Sequence, residues 1–217
     1  MSGSCCNPEE RFRGLSQAYR RALWLVIAIN AAMFVVETAS GMLAGSVALQ
    51  ADALDFLGDS LTYGLSLLVI GRPASWRAGA ALLKGASLGA MGLWVFGYTL
   101  YRVLVLGVPD AVVMGAIGVL ALAANVGSAL LLFRFRDGDA NVRSVWLCSR
   151  NDAIGNLAVV GAAGLVALSG TAWPDILVAA MMALLFLNSA TQIVRQALGE
   201  LRSGAEPATA AAVARRP

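Results

Sequence analysis

The sequence predicts an all-α fold: a polytopic membrane protein whose six transmembrane helices form one bundle with both termini in the cytoplasm. Of its 217 residues, 59% are hydrophobic and only 13% charged, whereas a water-soluble domain carries about a quarter charged residues. The apolar residues come in long blocks that match the ~20 needed to cross a bilayer. The cationic residues cluster in alternate gaps between those blocks, as the positive-inside rule requires of an even number of spans.

Span one (21–42) follows a charged leader, residues 1–20, which is expected to lie along the membrane surface as a short amphipathic helix. The apolar block starts only near Ala22, and no small-residue cleavage site follows a short apolar core, so a removable signal is not expected. Span two covers 46–71, span three 77–106, span four 110–135, span five 143–169 and span six 173–197. Gly and Pro mark most of the breaks: Gly41 and Gly45, Pro73, Gly107 with Pro109, Gly138, and Gly170 with Pro174. Residues 198–217, rich in Ala, form a tail too short for a folded domain and are expected to be disordered.

Charge orients the spans. Arg11, Arg13, Arg20 and Arg21 precede span one, and Arg72, Arg77 and Lys84 flank the turn between spans two and three. Arg134, Arg136 and Arg143 flank the turn between spans four and five, and Arg195, Arg202, Arg215 and Arg216 follow span six. The opposite side holds only Arg102. The net charge of +3 is spent on this topology and forms no basic face, so nucleic acid is not an expected partner. Three cysteines, two of them adjacent (Cys5 and Cys6), build no disulfide framework and read as reduced thiols. There is no histidine. Gly85 and Gly89 are expected to let helices pack closely.

Ionised groups at membrane depth are costly and tend to mark function. Five acids fall inside the spans: Glu37 in span one, Asp52, Asp55 and Asp59 in span two, and Asp152 in span five. Glu37, near a span end, is given a structural or gating role. Asp110 and Asp175, beside prolines, read as ordinary interfacial residues. Asp52, Asp55 and Asp59 follow an i, i+3, i+7 spacing and share one helix face. No Lys or Arg is expected at their depth. Like charges so close resist joint ionisation, a conflict that a divalent cation resolves; the alternative is a set of protonated acids stapling helices together.

Span five places Cys148 and Asp152 at i, i+4, with Asn156 one turn further. From the ~1.5 Å rise per residue, Asp59 lies roughly 20 Å from Arg72 and Asp152 roughly 14 Å from Arg143, so the antiparallel pairs meet about one turn apart. Asp55, Asp59, Asp152 and Cys148 would then supply three carboxylates and a thiolate, a tetrahedral set that suits zinc. Asp52 and Asn156 are accessory candidates. Arg150 is expected to point away and snorkel to the cytoplasmic interface.

The segments Gly-Ser-Val-Ala-Leu-Gln-Ala-Asp-Ala-Leu-Asp-Phe-Leu-Gly-Asp-Ser (45–60) and Ser-Arg-Asn-Asp-Ala-Ile-Gly-Asn (149–156), set in six spans, resemble the cation diffusion facilitator family of metal–proton antiporters. The resemblance covers about residues 20–197. In that family spans two and five each carry a His or Asp, three spacers and an Asp; the pairs fall here on Asp55 and Asp59, and on Cys148 and Asp152. Asp52 matches an acid that many members carry one turn earlier. Cys148 departs from the pattern. As a thiolate it would favour cadmium or zinc over manganese, and as a small buried residue it would be simply core. The family's histidine-rich loop is absent, and the short tail leaves no room for its cytoplasmic C-terminal domain, so a homodimer would rest on the spans.

The resemblance implies a multi-pass protein of a cell membrane, a bacterial inner membrane given fifteen arginines to one lysine. It would export divalent metal ions, zinc first and cadmium next, with cobalt, iron and manganese following. Export would be in exchange for protons, by alternating access within a lipid bilayer. Cys5 and Cys6 would be a capture point for soft ions or incidental. Three rivals stand beside this reading. An intramembrane aspartyl protease would need Tyr-Asp and Gly-x-Gly-Asp, but Phe56 replaces the first glycine before Gly58-Asp59 and no Tyr-Asp occurs. A metal sensor or assembly partner would bind without moving the ion, and a passive channel would ignore the proton gradient.

Overall fold

Six helices make up the described part of the chain, residues 16–69, 74–105, 107–136 and 140–203 of a computed structural model. They are α1 (Gln17–Ala44), α2 (Val47–Val69), α3 (Ala74–Leu104), α4 (Ala111–Phe133), α5 (Ala140–Ser169) and α6 (Trp173–Ser203), with no strand among the described residues. Even the shortest, α2 and α4 at 23 residues, is long enough for a hydrocarbon core of about 30 Å. Five of the six are apolar enough to cross it by length and composition. The other, α2, is as long as α4 but carries Asp52, Asp55 and Asp59.

Helix ends follow hydrogen bonding, where hydropathy only approximated them. Ser16 caps α1 by accepting from the Tyr19 N–H at 3.1 Å, so the helix starts at Gln17, inside the predicted leader. Its other end is a Schellman turn: Gly45, at φ +66°, donates to Met42 O, and the Ser46 N–H donates to Gly41 O at 3.0 Å. Only glycine takes that backbone conformation without a Cβ penalty. Asp110 caps α4 by accepting from Val112 N and Val113 N. Helix α6 runs to Ser203, past the expected end of span six, because its backbone ladder continues after the apolar run ends. Cys5, Cys6, Arg11, Arg13, Arg72, Arg215 and Arg216, and with them the amphipathic leader and most of the tail, lie outside the described residues.

Helix α2 packs against each of the other five; the most extensive pairings are α3 with α6, α4 with α5 and α1 with α2. On the outer side a core of Ala48, Leu49, Val95, Met114, Val159 and Ala183 joins α2 to α3, α4, α5 and α6. Met33, Phe56 and Ala121 fill the middle. Tyr19, Leu23, Tyr63, Leu132 and Val145 form the cytoplasmic core. The perimeter is the reverse of a soluble surface: Leu43, Leu168 and Val112 are more than four-fifths exposed. In water such a rim would be an association patch; in lipid it is the required surface.

Arg102, the exception to the charge pattern, donates to Gly45 O at 2.7 Å and Gly107 O at 3.1 Å, so it is held on outer-side carbonyls. Asp175 corrects an expectation. It is 1% exposed and accepts from Ser46 Oγ (2.6 Å), Val47 N (2.8 Å) and Ala48 N (3.0 Å). Ser46 is the N-cap of α2, accepting from the Leu49 N–H at 3.1 Å, and the carboxylate of α6 satisfies the first two N–H groups from outside, a role that depends on which helix end packs beside it and so is invisible to hydropathy.

Candidate metal-binding cavity

The i, i+3, i+7 aspartates of α2 do share a face, and that face borders a cavity of about 700 Å³. Asp52, Asp55 and Asp59 line it from α2, and Cys148 and Asp152 line it from α5. Helices α3 and α6 complete the wall, including Ser87 and Lys84 from α3 and Ser189 and Gln192 from α6. On α3 and α5 the lining falls in the cytoplasmic half of each helix. Met182 and Phe186, which belong to the outer core, close its far side.

Antiparallel packing of α2 and α5 brings the two pairs together. Asp152 of α5 lines the same cavity as Asp55 and Asp59 of α2. Tyr63, one turn beyond Asp59, donates its hydroxyl hydrogen to the Asp59 carboxylate. The same hydroxyl lies 3.4 Å from Ser149 Oγ and 3.5 Å from Val145 O, which ties α2 to α5 beside the acids. Cys148 is half-buried, with one side against the cytoplasmic core and the other on the cavity. One oxygen each of Asp52 and Asp152 has no hydrogen-bond donor, leaving unused lone pairs in a place where buried polar atoms are normally satisfied. Among the described residues, no three Cys, Asp or Glu side chains are grouped tightly enough to hold an ion as they stand. The donors share one cavity but not one shell.

The remaining acids and amides sort differently. Arg150 is exposed, bonds to Asn151 and lies over the Trp146 ring, away from the cavity as expected. Asn156 is wholly buried with both amide atoms unpaired, and it is not part of the cavity wall. Glu37 is wholly buried and faces Asp52, with no other donor reaching either of its oxygens. Two carboxyls so placed satisfy one another only by sharing a proton, which makes Glu37 an interior partner of α2.

The expectation that no cation shares the depth of the acids is wrong. Lys84 lines the same cavity as Asp55, Asp59 and Cys148. Sequence reasoning assigned it to the cytoplasmic turn because it was counted with Arg72 and Arg77. Its place some ten residues into α3, about 15 Å along the helix by rise, was the signal. Tyr63 was also missed, although its i, i+4 spacing from Asp59 puts it on the same face.

Comparison with known proteins adds a second line. The sequence pattern of the cation efflux transmembrane domain matches residues 23–202. The zinc transporter ZitB of Escherichia coli is 29% identical over 201 residues, covering 85% of this chain and 63% of the relative. The metal cation efflux system protein CzcD of Cupriavidus metallidurans is 26% identical over 196 residues, covering 85% and 62%. A cadmium, cobalt and zinc/H(+)-K(+) antiporter of Bacillus velezensis is 24% identical over 187 residues, covering 78% and 59%. The chain thus spans about three-fifths of the length of these relatives.

Proposed function

This chain belongs to the cation efflux family of multi-pass membrane proteins, and from that premise we propose that it exports divalent metal ions from the cytoplasm in exchange for protons. Family membership sets the protease reading aside, and the chain is not an enzyme. The observation that carries the proposal is the shared cavity between the helices, with Asp55 and Asp59 on one wall and Asp152 and Cys148 on the other. Zinc is the first substrate and cadmium the second. Carboxylate oxygens and a thiolate suit both, and the relatives named for zinc and cadmium agree.

The open arrangement of the donors is part of the mechanism. An ion entering from the cytoplasm meets Asp59, held in place by Tyr63, and then Asp55 one turn deeper on the same helix. Drawing Asp152 and Cys148 in from α5 completes the shell and pulls two helices together. Binding energy therefore favours a closed arrangement over the open one, which is the differential affinity that any ligand-driven shift needs. Metal requires ionised ligands and so displaces protons. On the far side protons displace metal, and the same oxygens carry both cargoes in turn.

The test is uptake of zinc or cadmium into inverted membrane vesicles under an imposed pH gradient. Uptake should follow the gradient and fall to background in Asp59→Asn and Asp152→Asn. Uptake indifferent to the gradient would indicate a channel, and binding without uptake a sensor. Unchanged uptake in both variants would remove these residues from the transport site.

A further inference from the structure

Where α4 ends and α5 enters the apolar region, two arginines and two aromatic rings form one ladder. The Arg136 guanidinium lies 3.9 Å from the Phe133 ring centroid, and the Arg150 guanidinium 5.3 Å from the Trp146 centroid. The two rings meet edge to face at 6.2 Å. Both cations are within the ~6 Å at which a ring face attracts positive charge. The ladder runs cation, ring, ring, cation across the seam of α4 with α5, away from the acidic cavity.

Its depth is that of a phospholipid headgroup. The apolar span of α4 closes at Phe133 and that of α5 opens at Cys148, so Arg136 and Trp146 stand just outside the hydrocarbon and Arg150 just inside it. An arginine at that level needs an anion or a route to water. Arg150 is exposed, and Asn151 accepts one of its N–H groups at 3.1 Å. A guanidinium has five such donors, and no carboxylate among the described residues pairs with this one. Stacking on a ring fixes the plane of the guanidinium while its N–H edge stays open, and that edge is the fork a phosphate accepts in pairs. The surface deeper in the membrane continues the ladder. Leu130 lies three residues before Phe133 on α4, and Ile154 and Leu157 follow Arg150 at i+4 and i+7 on α5, so each set shares a face. All three are exposed. Toward the cytoplasm the seam passes from apolar through aromatic to cationic, the order of acyl chain, glycerol and phosphate in a phospholipid.

We propose that the cytoplasmic end of the α4–α5 seam binds an anionic phospholipid of the cytoplasmic leaflet, its phosphate held between Arg136 and Arg150 and an acyl chain laid along Leu130, Ile154 and Leu157. A free phosphate shares the headgroup chemistry but gains nothing from the apolar stripe. The lipid would clamp α4 to α5 at their cytoplasmic ends, and α5 is the helix that carries Cys148 and Asp152 to the cavity. The site stands or falls independently of the metal reading.

The experiment counts lipid adducts by native mass spectrometry on the full purified chain in detergent, with phosphatidylglycerol, phosphatidylcholine or inorganic phosphate added, and reads the melting temperature with each. Wild type stands beside Arg150→Gln, the double variant Arg136→Gln with Arg150→Gln, and Arg195→Gln. Arg195 is an exposed arginine of α6 outside the ladder and controls for net charge. Phosphatidylglycerol should bind the wild type and raise its melting temperature more than phosphatidylcholine does. Binding should weaken about fivefold for each ladder arginine removed, with Arg195→Gln like the wild type. Inorganic phosphate should leave the melting temperature unchanged. An equal loss in Arg195→Gln would reduce the effect to net charge, equal binding of phosphatidylcholine would remove the demand for an anionic headgroup, and stabilisation by inorganic phosphate would make this a site for a free anion. Each of these overturns the proposal, as does unchanged binding in Arg150→Gln, whose exposed position keeps the test decisive if the double variant fails to fold.

Discussion

Asp59 cannot hold its own position in the cavity; a hydroxyl one turn further along α2 does that for it. The Tyr63 O–H donates to Asp59 and sits against Ser149 and Val145 of α5, so one side chain fixes both the carboxylate and the spacing of the two helices that line the cavity. Tyr63→Phe keeps the ring, which is fully buried in the cytoplasmic core, and deletes only the donor. A hydrogen bond to a charged group contributes about 1.5–3 kcal/mol, so cadmium affinity should fall by about tenfold or more while the folded fraction in detergent is unchanged. Calorimetry beside a thermal melt separates the two effects; a lowered melting temperature with wild-type affinity would make Tyr63 a core residue only. At this scale the sequence was legible where a residue type was itself anomalous. Asp52, Asp55, Asp59 and Asp152 stand out because acids are expensive in apolar blocks. Tyr63, Lys84 and Asp175 do not stand out, because their roles depend on which neighbour lies across the gap.

The elements were legible almost throughout, since bilayer thickness fixes their length and turn residues fix their ends. The way pairs of elements meet was only half legible. Gly85 and Gly89 signalled close packing, and both lie on the seam of α3 with α6, as does Gly92. They are not equivalent. An added methyl at Gly89 would find Ala190 Cβ at an ordinary 3.6 Å, whereas at Gly85 it would collide with Val194 and crowd Ile193. Both sites are helical, so both would gain about 1 kcal/mol in helix propensity on changing to Ala. Only Gly85 also bears an overpacking cost of about 1–3 kcal/mol. Gly89→Ala is therefore expected to melt at or slightly above the wild-type temperature, and Gly85→Ala at or below it; Gly85→Leu should melt well below. Thermal unfolding of the three variants in one detergent checks the order. If Gly85→Leu matched the wild type, the seam would not be as tight as its geometry requires.

Taken as a whole, the molecule gathers polar ties at its outer end and carries its acidic cavity further inward. On the outer side three polar ties gather around the turn between α1 and α2: Asp175 of α6 satisfies the start of α2, Arg102 of α3 holds Gly45 O, and the Asp110 N–H donates to Ala44 O at 2.9 Å. On the cytoplasmic side the tie between helices is the Tyr63 hydroxyl of α2 against Ser149 and Val145 of α5, set in the core of Tyr19, Leu23 and Leu132. If the bundle alternates as proposed, the opposite state is one in which the outer ties loosen, and these bonds would then hold the balance toward a cytoplasm-facing form. Asp175→Ala removes three acceptances at once. Losing even one charge-assisted bond, about 1.5–3 kcal/mol, shifts a two-state balance roughly tenfold to a hundredfold. Cys148 reports the outcome because it lines the cavity. With Cys5 and Cys6 changed to Ser, a membrane-impermeant thiol reagent should modify Cys148 from the cytoplasmic side, and cadmium should protect it. In Asp175→Ala the cytoplasmic rate should drop and labelling from the outer side should appear. If the outer reagent still fails to reach Cys148 while the melting temperature falls, Asp175 is a helix-end tie and no gate, and the outer closure must be held by Arg102 and the apolar core of Leu49, Met114 and Val159. The two outcomes differ because a helix-end tie stabilises both states equally, whereas a gate stabilises one.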